Sequence, residues 1–332
     1  MIAIVSMIVS VGTHVLAAPV EIDGDIRIRI QNRSGDTDSP AKGTFTITRI
    51  RLNENVPVTE NISLYSRFAI DQAAGKAYNN GLYDTDGAFD RWGINWKYKN
   101  GSLKLGRQDV VLGQENLVLG TLIDAVGENN QLTGLTAIWK MGNNSLKLVG
   151  GRLGSGLFQP LKKIEANLYG LQMDHKVNQR LNIGGTYRQV ATIDQYSAIR
   201  ATLYPPHKDV LNTYSLFASY YLDAKTIAYT EFGYSNADQY NSGLGIGISH
   251  RMDMKNSYSI NYFRQGINSG LLRNWGAPDF ARWAGNTTWQ GVAIYYRYQM
   301  DRNTSLEVSD YYEKGNVNNA ANQFRIAVMT KF

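Results

Sequence analysis

The sequence predicts an all-β chain, rolled into a transmembrane antiparallel up-and-down β-barrel of about sixteen strands. Three observations carry this. Apolar and polar residues alternate with period two in segment after segment. The connections between segments are short and long by turns. The chain ends NQFRIAVMTKF, apolar on one face, polar on the other, and stops on an aromatic. A half-buried strand of a soluble sheet would alternate in the same way, so the last stretch alone decides nothing. Its recurrence does.

Composition sets the frame. The 332 residues suffice for two soluble domains or one large barrel. There are 21 Tyr and 32 Gly, only 7 Pro, and no Cys. The net charge is +6 and the mean hydropathy −0.32, which announces no membrane protein. A spanning β-barrel would not announce itself either, because polar inward and apolar outward residues cancel in the average. Without Cys there is no disulfide framework, so stability must come from a closed hydrogen-bonded architecture. No Lys/Arg block is long enough to suggest nucleic-acid binding.

The elements follow in order. Residues 1–17 read as a secretory signal: an apolar, uncharged run closing on Val15-Leu16-Ala17, with cleavage after Ala17. The run lacks a basic n-region, and a retained anchor helix is the competing reading. The mature barrel is then residues 18–332. Its first strand, VEIDGDIRIRIQ, sets Val20, Ile22, Ile26, Ile28 and Ile30 against Glu21, Asp23, Asp25, Arg27 and Arg29. Alternating segments are expected near 20–31, 44–54, 61–71, 89–98, 102–108, 133–140, 145–152, 165–175, 180–190, 211–222, 225–235, 241–250, 256–264, 289–299, 304–312 and 323–332. Each is about the ten residues a tilted strand needs to cross a bilayer.

The connections are an independent test. Links after even-numbered strands are mostly short and rich in turn residues: NG at 100–101, GNN at 142–144, KVNQ at 176–179, DAK at 223–225 and DRN at 301–303. Links after odd-numbered strands are mostly long, about 32–43, 72–88, 109–132, 153–164, 191–210, 265–288 and 313–322, with a short one near 236–240. Sorting by parity is expected of a barrel with short periplasmic turns and long extracellular loops, and a sandwich has no reason for it. Aromatics near strand ends, including Trp92, Trp96, Tyr98, Tyr214, Tyr220, Tyr296 and Phe332, suit a membrane–water boundary, although strands favour aromatics anyway.

The chain resembles the bacterial outer-membrane porins. The signal, the alternating strands, the turn–loop parity and terminal Phe332 carry the resemblance, together with LKLGRQDVVLGQ at 103–114 leading into GTLIDAVGE. It implies residence in the bacterial outer membrane, contact with membrane lipid, and a homotrimer. It also implies an insertion signal at Phe332 read by the barrel-insertion machinery, on a last strand that closes against the first.

By parity, Arg27, Arg29, Arg49, Arg51, Arg67, Arg91, Arg188, Arg297 and Arg325 face inward, with Asp23, Asp25, Asp71 and Glu307 as acidic counterparts. The arginines of strands one to four form a basic wall. The loop 109–132, with Asp109, Glu115, Asp124 and Glu128, is expected to fold in opposite them and narrow the pore. Inward charges can also simply brace the wall, and the loop can lie on the surface. The excess of Arg predicts a mild preference for anions or zwitterions.

Chemistry of other kinds finds no footing. His14, His175, His207 and His250 are scattered, so no metal site or cofactor is expected. GLGIG at 243–247 sits in an alternating strand and lacks the third Gly of a dinucleotide loop. These glycines are a candidate for a flat assembly face. No enzymatic constellation stands out. The expected function is a channel for passive diffusion of small hydrophilic solutes. The alternatives are a porin selective for acidic compounds or sugars, to which inward Tyr65, Tyr295 and Tyr311 would contribute, and a structural or adhesive barrel with a closed lumen. A soluble β-rich binding protein is the reading of last resort.

Overall fold

The computed structural model describes residues 19–35, 43–75, 86–114, 131–153, 166–192, 210–266, 288–316 and 320–332. The signal assigned to residues 1–17 lies outside them. The described residues form sixteen strands: β1 (Glu21–Gly35), β2 (Gly43–Pro57), β3 (Ile62–Gly75), β4 (Asp86–Tyr98), β5 (Gly101–Asp109), β6 (Gln131–Met141), β7 (Asn144–Leu153), β8 (Ala166–Lys176), β9 (Leu181–Thr192), β10 (Val210–Tyr221), β11 (Thr226–Ser235), β12 (Ser242–Arg251), β13 (Asn256–Gly266), β14 (Thr288–Gln299), β15 (Thr304–Gly315) and β16 (Ala320–Lys331). Each pairs antiparallel with its chain neighbours, and β16 pairs with β1, so the sheet closes on itself and leaves no edge. No helix among the described residues is long and apolar enough to cross a membrane, which says nothing of strands.

Burial runs opposite to that of a water-soluble core. Leu216 is 71 % exposed on β10, while Glu231 on β11 is 0 % exposed. Ile26, Ile28 and Ile30 are exposed, and Gln31, the next residue of the same strand, is buried. The alternation therefore puts the apolar residues outside and the polar ones inside, as a barrel in lipid requires. Exposed aromatics gather toward the two ends of the outer face. Tyr169, Tyr214, Tyr234, Tyr312 and Phe324 stand toward the loop ends, and Trp96, Tyr220 and Phe332 toward the turn ends.

Because local chemistry sets them, the turn ends fall within about a residue of the places expected, except that β2 runs on from 54 to Pro57. Asp223 Oδ1 accepts the amides of Lys225 and Thr226, Asp253 Oδ1 those of Lys255 and Asn256, and Asp301 Oδ1 those of Asn303 and Thr304. Thr59 and Asn178 cap their turns in the same way. These bonds hold the three carboxyls below the usual carboxylate range. The chief causes are the Lys225 amide for Asp223, the Asn256 side chain for Asp253 and the Asn303 amide for Asp301. The loop ends run further than the apolar alternation: β1 continues to Gly35, β3 to Gly75 and β15 to Gly315.

At the seam, Phe332 and Gly24 exchange both backbone hydrogen bonds at 3.0 Å. The Phe332 ring lies where a Gly24 side chain would stand: a Cβ there would meet ring carbon Cζ at 2.5 Å. One expectation is corrected here. Leu244, Ile246 and Ile248 point outward, so Gly243, Gly245 and Gly247 face the interior and cannot form an outer assembly face. The Tyr229 ring packs over Gly247 instead.

Candidate functional site inside the barrel

The inward residues of β1 to β4 build a charged wall. Register places Asp25 opposite Arg51, Arg27 opposite Arg49, and Arg49 opposite Asp71. Asp25 accepts from Arg51 Nε at 2.8 Å and lies 3.5 Å from Arg49. On β3, Arg67 forks onto Asp90 of β4, with Nε donating at 2.6 Å and the terminal amine to the second oxygen. Asp90 reaches the interior through a bulge. The register slips between Arg67 and Phe68, so Asp90 and Arg91, adjacent in sequence, both turn inward. Arg91 in turn pairs with Asp109 at the end of β5.

Asp109 thus stands on the basic wall itself and not across the interior from it, as the sequence suggested. It neutralises Arg91 where β5 ends. Glu115, Asp124 and Glu128 lie outside the described residues.

From Asp109 an inward arm, residues 110–114, leaves the wall and reaches the far side. The amide of Gly113 donates to Gln172 Oε1 of β8 at 3.0 Å, and that of Gln114 to Glu231 Oε2 of β11 at 3.0 Å. The Gln114 side chain donates to the carbonyl of Ala218 on β10 at 3.2 Å. Gly113 takes a φ of 105°, the left-handed region that glycine enters freely. Leu112 packs with Leu132, Val149 and Leu168 in an apolar cluster on the inner face, and Lys147 Nζ donates to the Val111 carbonyl at 3.2 Å. The start of the 109–132 loop is therefore hydrogen-bonded to four strands, β7, β8, β10 and β11.

The other arginines that the sequence turned inward occupy different settings. Arg27 and Arg297 flank Glu307 at 3.8 and 3.4 Å. Arg27 reaches it across β16, where Ala327 leaves room opposite Glu307. Arg29 points inward on β1, beside the others. Arg188 of β9 lies in the field of Glu231, the carboxylate that holds the arm. Arg325 donates to the Tyr311 hydroxyl at 3.1 Å and stacks on its ring at 4.5 Å, while Tyr295 meets Tyr311 edge-on. Tyr65, Tyr295 and Tyr311 do face inward, but Tyr311 is 1 % exposed and committed to Arg325.

Sequence reasoning missed Asp90, Glu231 and Gln172. Asp90 left a trace: in FDRWGINW the apolar residues Phe89 and Trp92 stand three apart, then continue at Ile94 and Trp96 in steps of two, which is a bulge written in the sequence. Glu231 and Gln172 left none, since nothing local tells which inward residue an arm will reach. Among the described residues no three His, Asp or Glu gather to hold a metal ion.

No protein-family model and no curated protein matches the chain. Solved structures do. A loop-deletion mutant of OmpT, an outer membrane protein of Vibrio cholerae, superposes with a TM-score of 0.57 at 12 % identity, over 95 % of this chain and 99 % of that one. Two mutants of the Rh. blastica porin each superpose with a TM-score of 0.59, at 11 % and 12 % identity, over 95 % of this chain and 100 % of theirs. At such identities the likeness establishes architecture: this chain has the closed sixteen-stranded antiparallel barrel fold of the outer-membrane porins.

Proposed function

We infer that the chain is an outer-membrane porin, a water-filled channel for passive diffusion of small hydrophilic solutes with a mild preference for anions. One observation supports this above all: a closed barrel whose apolar face looks outward and whose inner face carries arginines against fewer carboxylates. In this reading the signal at 1–17 exports the chain. Phe332 marks the last strand for the insertion machinery, and the barrels work as homotrimers. Arg27, Arg29, Arg49, Arg51, Arg67 and Arg91 set the field along one wall, and the loop 109–132 narrows the passage. A channel function needs no reacting group and no cofactor.

The test is single-channel recording of the purified chain in planar bilayers. A steady conductance, with a reversal potential on the anion-selective side in a salt gradient, is the expected result. A clear cation preference would refute the selectivity. Absence of any conductance would favour a structural or adhesive barrel. Concentration-dependent block by one sugar or acidic compound would point to a selective porin, though the involvement of Tyr311 with Arg325 speaks against a tyrosine track for solute.

A further inference from the structure

On the outer face, the loop ends of β13, β14 and β15 carry Arg264, Gln290 and Lys314. The three are directly opposite one another in register and all are exposed. The row below them is Tyr262, Val292 and Tyr312. Its exposed tyrosines mark the boundary at which the apolar field gives way to polar surface. Above an apolar field this large, such a row meets lipid headgroups.

Arg264 and Lys314 supply donors only. The Tyr262 hydroxyl donates to Gln290 Oε1 at 3.3 Å, which leaves the amide N–H groups of Gln290 turned outward. The flanking partners of the row, Leu244 on β12 and Ala320 on β16, add no charge. The nearest outward carboxylate on these strands, Asp310, lies below Tyr312 and is separated from Lys314 by it. Adjacent strands stand about 4.8 Å apart, so the stems of Arg264 and Lys314 are about 10 Å apart, a gap that two long side chains close onto one phosphate.

We propose that Arg264, Gln290 and Lys314 form a binding site for a phosphorylated lipid headgroup of the membrane layer at the loop end of the barrel. This rests on the membrane-spanning reading. Arg264 forks onto two phosphate oxygens, Lys314 adds a point charge, and Gln290 donates between them. The site lies on the outer face, away from the charged wall and the arm, so it acts on lipid and not on solute.

The test is native mass spectrometry of the full-length barrel in detergent, offered phosphatidylglycerol and a neutral digalactosyl lipid of equal chain length. Wild type is expected to retain phosphatidylglycerol preferentially. The Arg264→Ala/Lys314→Ala double variant should lose about tenfold in that retention, and Gln290→Ala less, with heat-modifiable gel migration and bilayer conductance unchanged in both. Equal retention of the two lipids, or retention untouched by the double variant, overturns the proposal. Displacement of phosphatidylglycerol by an equal concentration of inorganic phosphate also overturns it, because the site then selects a free anion. A chain that gives no conductance but keeps the lipid preference would refute the porin reading alone.

Discussion

Asp90 shows how one side chain sets the cost of a charged interior. The Arg67–Asp90 pair is buried, and neither partner would stand there alone without a large desolvation penalty. Asp90→Ala leaves a buried guanidinium without its fork and is expected to cost about 3 kcal/mol in barrel stability. The double variant Arg67→Met/Asp90→Leu removes both charges and should recover most of that. Denaturant unfolding of the barrel in detergent, followed by tryptophan fluorescence, checks both. At the seam the argument is steric. Any side chain at Gly24 meets the Phe332 ring and the Arg51 carbonyl, each 2.5 Å from its Cβ. Gly24→Leu should therefore loosen the contact between β1 and β16 and lower the temperature at which the folded gel band is lost. Gly24→Leu should also expose the C-terminus to carboxypeptidase, and Gly233→Leu, on the inner face of β11 away from the seam, should not.

At the scale of elements, turns and arm behave differently. The Asp223, Asp253 and Asp301 carboxyls are held below their ordinary values, so each contributes stability that is present above the unfolded-state value and is lost as pH falls through the lower folded-state value. Replacing all three by Asn should lower the unfolding midpoint most at neutral pH. The gap from wild type should close in strong acid, where wild type has lost its ionised caps. A gap that stays constant with pH would show that charge at these turns is irrelevant. The arm depends on Glu231, since a hydrogen bond to a charged group is worth about 1.5–3 kcal/mol. Glu231→Ala should loosen the tip of the arm at Gln114, whose backbone amide it holds, and give larger, noisier single-channel currents. These elements also explain what could be read in advance. All sixteen strands were legible, because a membrane barrel repeats one pattern, and the turn ends were sharp because Asp, Asn and Thr cap them locally. The loop ends were not, since β1 and β15 run on as paired strand where the residues no longer need to be apolar. The face of Gly243 to Gly247 was misread because glycine itself carries no polarity and its phase has to be taken from Leu244 and Ile246.

At the scale of the molecule, the interior is a field before it is a set of contacts. Most of its arginines sit beside carboxylates: Arg49 and Arg51 beside Asp25, Arg67 beside Asp90, Arg91 beside Asp109, and Arg27 and Arg297 beside Glu307. Pairing trims the positive potential without abolishing it, because one carboxylate serves two guanidinium groups at Asp25 and again at Glu307. In the channel reading, a solute ion crossing the barrel feels the remainder, and salt screens it over about 30 Å at 0.01 M but about 3 Å at 1 M. The anion preference should therefore be plain in dilute salt and fade toward none in concentrated salt, at the same tenfold gradient. Removing charge from the wall while leaving Asp25 and Glu307 each with a guanidinium sharpens the test. Arg49→Gln leaves Asp25 with Arg51, and Arg27→Gln leaves Glu307 with Arg297. The Arg27→Gln/Arg49→Gln variant should carry the reversal potential toward zero or past it in dilute salt, while its reading in concentrated salt stays where wild type has it. If both readings moved together, the change would lie in the width of the passage and the charged wall would be a brace alone.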